Sequence, residues 1–127
     1  YHDKRTGYQF AVNPVGVKRD IYVFNDGDED VSWDAVWHVE TSVDSAGWTA
    51  EFAIPWSQLR YPDVAEHTIG LMITREVGRR NERQSWPLLG RNRTGFVSQW
   101  GDVTGIGGLP SSRRLEVMPY VVTKEYN

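Results

Sequence analysis

Three groups of residues in this 127-residue chain have types and spacings suited to chemistry. The first is tryptophan. Six indoles are present, and Trp33, Trp37, Trp48 and Trp56 fall within one stretch. Flat aromatic faces stack on the apolar C–H patch of a pyranose ring, while neighbouring amides, carboxylates and guanidinium groups bond its hydroxyls. Trp37 and Trp48 lie on the apolar faces of alternating segments and read as core. Trp33 and Trp56 flank turns, and Trp86 and Trp100 sit in or beside a long polar segment. Those four are the candidate stacking platforms. Arg75, Arg79, Asn81 and Glu82 are the candidate hydroxyl-bonding partners.

The second group is the acidic turn from Asn25 to Asp30. Asp26, Asp28 and Asp30 alternate as calcium ligands do in loop sites, where carboxylates and carbonyls supply six to eight oxygens. The EF-hand pattern is not met, because Val31 stands where glycine is needed and no Glu occupies the twelfth position. Asp-Gly is also ordinary turn chemistry, so a solvated turn and a structural calcium site both stand.

The third group is the acids and bases that could catalyse. Glu40 and Glu51 fall on the outer faces of adjacent strands and could approach each other, as glycoside hydrolysis requires of two carboxylates. Outer-face acids more often face solvent. No nucleophile elbow, phosphate-binding loop or dinucleotide fingerprint is present. His2, His38 and His67 form no ligand-spaced pair, which argues against zinc. The residues favour binding without catalysis.

The elements that must position these groups read as strands. Tyr8, Phe10 and Val12 alternate with Gln9, Ala11 and Asn13, the period-two mark of a half-buried strand. Asn13 to Gly16 is a turn. Asp20 to Asn25 is apolar on both sides and suits a strand covered on both faces. Ala35, Trp37, Val39, Thr41 and Val43 share one face of the next strand. Asp44 to Gly47 reads as a hairpin connection. The return strand sets Trp48, Ala50, Phe52 and Ile54 inward, and Pro55 ends it for want of an N–H. Trp56 to Arg60 fits a single helical turn. Further strands are expected over Thr68–Glu76, Phe96–Trp100 and Arg114–Glu125, with a polar loop over Gly78–Gly95 and an irregular Gly-rich piece over Gly101–Ser112. No segment carries a 3.6-residue stripe. The expected fold is all-β, an antiparallel sandwich of jelly-roll type.

Composition narrows the function classes. The net charge of −3 argues against a sequence-independent grip on nucleic acid. The absence of cysteine excludes disulfides and thiolate metal sites. No apolar run approaches the roughly 20 residues that span a bilayer as a helix. One domain is expected.

Three quoted pieces, "YQFAVNPVGVKRD", "WDAVWHVETSVDSAGWTAEFAIPWSQLRY" and "IGLMITRE", resemble the family 9 carbohydrate-binding modules. The later pieces "GRRNERQSW", "NRTGFVSQWGDVTGI" and "RRLEVMPYV" are similar to a branch that precedes an outer-membrane barrel-like domain of unknown function. The resemblance spans nearly the whole chain. It implies a β-sandwich that binds oligo- or polysaccharide without catalysis, holds calcium in some members, and is exported to the periplasm or beyond. It also implies strands ahead of Tyr1 that this chain lacks. The exposed edge would then be covered by a second copy, giving a homodimer or a strand-exchanged assembly. On this reading residues 1–112 form the module, and 113–127 are a closing strand or a linker to a following domain. A periplasmic structural or interaction domain without sugar binding is the alternative, and a small glycoside hydrolase the third reading.

Overall fold

The computed structural model describes residues 3–110. Among them the secondary structure is antiparallel β-strand with three 3-10 turns, at Trp56–Gln58, Gly78–Arg80 and Val97–Gln99. β1 (Gly7–Val12), β2 (Lys18–Phe24) and β3 (Asp28–Asp30) form a sheet in the order β1-β2-β3. β4 (His38–Asp44) pairs with β5 (Gly47–Ala53), and β6 (Glu66–Leu71) pairs with β9 (Gly101–Gly107). β7 (Ile73–Val77) pairs with β8 (Glu82–Trp86). The protein is all-β over these residues, in several small sheets.

Local chemistry explains the turns. Asn13 accepts the amides of Val15 and Val17 on its side-chain oxygen, and Gly16 takes a left-handed φ of 87° that a side chain would resist. At the β4–β5 turn Asp44 Oδ1 accepts the amides of Ala46 and Gly47. That closes the register of Asp44 opposite Gly47 and sets Val39, Thr41, Trp48 and Ala50 on the half-buried face.

β2 is covered on both faces, as its two-sided apolar sequence predicts. Ile21 and Val23, 1% and 0% exposed, meet Val97, with Phe96 and Trp100 packed around them. Burying each such aliphatic side chain contributes about 1.5–3 kcal/mol. The other face carries a run of rings. Phe24 stacks on Tyr22, Tyr22 meets Tyr8, and Trp33 lies 4.9 Å from Tyr8 and 5.8 Å from Phe10. Trp37 is edge-on to Phe10 and parallel to Phe52. Asp20 anchors the segment that lays these indoles down. Its carboxylate accepts the Ala35 amide at 2.8 Å and the Trp37 indole N–H at 3.3 Å.

Several elements differ from expectation. The strand expected from Ala35 begins at His38, because Asp20 pulls residues 35–37 out of the ladder and onto the sheet face. The single strand expected over Thr68–Glu76 is two, β6 and β7, and the break at Met72 marks a change of partner from β9 to β8. The supposed loop Gly78–Gly95 contains β8. Its residues are mostly exposed, so no apolar alternation marked it, and Asn81 in the left-handed conformation makes the turn. Phe96–Trp100 holds the 3-10 turn Val97–Gln99 with Trp100 extended after it, while the strand lies in the Gly-rich piece as β9. Trp48 is half-buried beneath the Arg75 guanidinium, 5.5 Å from its ring centre, and does not belong to the Ile21–Val23 core. Trp37 is core, at 5% exposed. The closing strand expected over Arg114–Glu125 lies outside the described residues.

Candidate functional site

A cleft of about 430 Å³ opens between β1, the Ile54–Pro62 segment and β6. That volume is within the range of small-molecule sites. Pro55 ends β5, and the 3-10 turn that follows carries Trp56 to the cleft wall. Tyr61 stands edge-to-face with Trp56 at 6.0 Å and with His67 at 5.3 Å. Its hydroxyl donates to the Pro110 carbonyl at 2.6 Å, which fixes the ring.

Trp100 lies where β1 and β6 approach, and glycine makes room for it. A Cβ at Gly7 would collide with the six-membered ring of Trp100, and one at Gly70 would touch it at 3.8 Å. Phe96 supports the indole edge-on at 5.5 Å. The indole nitrogen is buried without an acceptor. Lys4, Arg60 and Asp102 bring charge to a lining that sets Phe10 and Ile69 beside the polar Thr6, His67 and Thr68. The site can stack a ring and bond a few polar groups.

Of the four expected platforms, the structure brings Trp56 and Trp100 to this cleft. Trp33 is committed to Tyr8 and Phe10 on the sheet face. Trp86 lies over Gly101 and is 53% exposed, beside its cross-strand partner Ile73. The expected polar partners do not line the cleft. Arg75 is on β7, donating to the Trp48 carbonyl at 3.4 Å, and Arg79, Asn81 and Glu82 occupy the tip of the β7–β8 hairpin. Tyr61 and His67 are cleft residues that sequence reasoning passed over. A lone tyrosine before proline and a lone histidine carry no spacing signal.

The acidic turn is organised by hydrogen bonds. Asp26 Oδ1 accepts the amides of Ser98 and Phe96, at 2.8 and 3.1 Å, and Oδ2 accepts the Ser98 hydroxyl. The Ser98 amide, then its hydroxyl, hold the Asp26 carboxyl below the ordinary carboxylate range. The Ser32 hydroxyl, then its amide, do the same for Asp30. Asp28 accepts from the Asn25 side chain at 3.3 Å. Among the described residues no three acidic or imidazole side chains gather as a metal site. Asp26 thus ties the β2–β3 turn to the 3-10 turn that delivers Val97 to the core.

No protein-family model matches the chain, and searches of curated proteins and of solved structures return no match.

A second, open depression lies on the outer face of the β4–β5 hairpin, lined by His38, Glu40 and Glu51. Glu40 and Glu51 are direct cross-strand partners, and His38 Nε2 is 2.8 Å from Glu40 Oε1. The His38 and Glu40 side chains are 68% and 73% exposed. Carboxylates so open to water lack the walls that would hold a sugar between them.

Proposed function

We propose that this chain is a non-catalytic carbohydrate-binding domain of β-sandwich form, exported to the bacterial envelope, with its site in the Trp56–Trp100 cleft. One observation carries the reading: two of the indoles singled out as platforms, 44 positions apart in sequence, line one cleft with a third ring, Tyr61. Stacking of a pyranose on such rings contributes area at small entropic cost, and the charged rim residues bond its hydroxyls. The test is a thermal-shift titration with soluble oligosaccharides, run with calcium and with EDTA. A rise in melting temperature with one sugar class, abolished by Trp56→Ala, supports the site. A calcium-dependent rise in that shift would give the Asp26–Asp30 turn a metal. No shift with any sugar removes the reading.

The interaction-domain alternative is favoured by a separate surface. Ile73 and Trp86, direct cross-strand partners, and Leu88 just beyond them are 60%, 53% and 86% exposed on the β7–β8 pair. An apolar cluster of this kind marks a protein contact. Self-association belongs to either reading: β1 has no second strand neighbour among the described residues and carries no charge or proline to blunt its edge. Sedimentation equilibrium should find a dimer. A monomer mass at every concentration would remove that part.

A further inference from the structure

His67 is the most deeply buried polar side chain among the described residues, at 4% exposed. Buried imidazoles are ordinarily held by a carboxylate, a carbonyl or a hydroxyl. This one has no such partner among the described residues; its neighbour is the Tyr61 ring, 5.3 Å away and edge-to-face. Its nitrogens are not sealed off like that of Trp100, and the ring forms part of the cleft lining.

The backbone beneath it is irregular. His67 opposes Ile106 and Ile69 opposes Val103, so Thr104 and Gly105 together face Thr68 alone. Gly105 takes a φ of 79°, as the glycine of such a bulge requires. A bulge twists the strand pair locally and re-aims side chains beside it. Here it lies one position from the histidine that faces the cleft.

We propose that His67 is the polar anchor of the cleft, exchanging hydrogen bonds with a hydroxyl of a neutral sugar ring stacked between Trp56, Tyr61 and Trp100. The inference rests on the carbohydrate reading above and gives it a ligand class. A neutral imidazole offers one donor and one acceptor, on separate ring nitrogens, and a sugar hydroxyl can answer either. A carboxylate or phosphate offers acceptors alone and could answer only the donor nitrogen. An apolar ligand would leave both unmet.

The experiment follows the imidazole nitrogens by long-range ¹⁵N NMR on the full chain. The probes are neutral tetrasaccharides of glucose, xylose and mannose, with a uronate tetrasaccharide beside them. A neutral sugar that perturbs the Trp56 indole N–H should also shift the His67 nitrogens. His67→Phe keeps the ring against Tyr61 and should hold the melting temperature while weakening that sugar at least tenfold. His67→Gln should recover part of the loss. If a sugar moves Trp56 but leaves the His67 nitrogens unmoved, the anchor is overturned and the binding reading stands. Preference for the uronate overturns the neutral class. If no sugar moves either group, both readings fall. Should His67→Phe not fold, the titration of the unaltered chain still decides.

Discussion

Single side chains hold this structure at points where one group serves two elements. Asp20 is such a point, since its carboxylate takes both the Ala35 amide and the Trp37 indole. Asp20→Ala leaves two donors on the buried residues Ala35 and Trp37 without an acceptor, at a cost of about 1–3 kcal/mol each. Asp20→Asn, which keeps an acceptor, should cost less, and chemical denaturation of the two variants measures the difference. Asp26 acts across a longer span of chain. Its carboxyl titrates below its ordinary value of 3.8 because the folded protein bonds the charged form. The stability it contributes is therefore complete above that value and is lost as pH falls through the lower folded one. Melting temperature should drop on acidification below about pH 4, and Asp26→Asn should flatten that part of the profile. An unchanged profile would show that Ser98 and Phe96 are held by other means. Ile21→Ala should cost about 2–5 kcal/mol, because the small Ile21–Val23–Val97 core has little around it to collapse into the void.

Elements meet where glycine lets them. β1 and β6 approach through Trp100, whose ring occupies the space a side chain at residue 7 would fill. Gly7→Ala should cost about 1–3 kcal/mol through overpacking and should displace the indole that lines the cleft. Near-ultraviolet circular dichroism would register the displacement; a spectrum and stability like the native protein's would refute the close contact. The same scale shows how legible the elements were. β1, β2, β4 and β5 carry alternating or two-sided apolar patterns, and each was read within a few residues of its bounds. β8 and β9 were not. β8 is a polar strand held by its backbone ladder to β7, and β9 is a glycine-rich strand bent by a bulge, so neither presents the period that burial of one face imposes.

At the scale of the whole molecule, the candidate site is a product of convergence. A ligand that binds only the folded chain raises stability by about 2.7 kcal/mol at a hundredfold excess over Kd. A melting shift of that origin should vanish in Trp56→Ala and persist in Arg79→Ala, because Arg79 lies at the hairpin tip away from the cleft. Equal loss in both would move the site to the hairpin. The residue types alone determined the all-β class, the hairpin turns at Asn13–Gly16 and Asp44–Gly47, the two-sided burial of β2 and the core role of Trp37. Each of these follows from a period, a turn residue or an apolar run that acts over a few neighbours. Which indoles share a cleft, that Asp26 bonds Ser98, and that His67 is buried against Tyr61 were decided only by the tertiary structure. The first two depend on residues 44 and 72 positions apart being brought together by packing, and local periodicity carries no record of that.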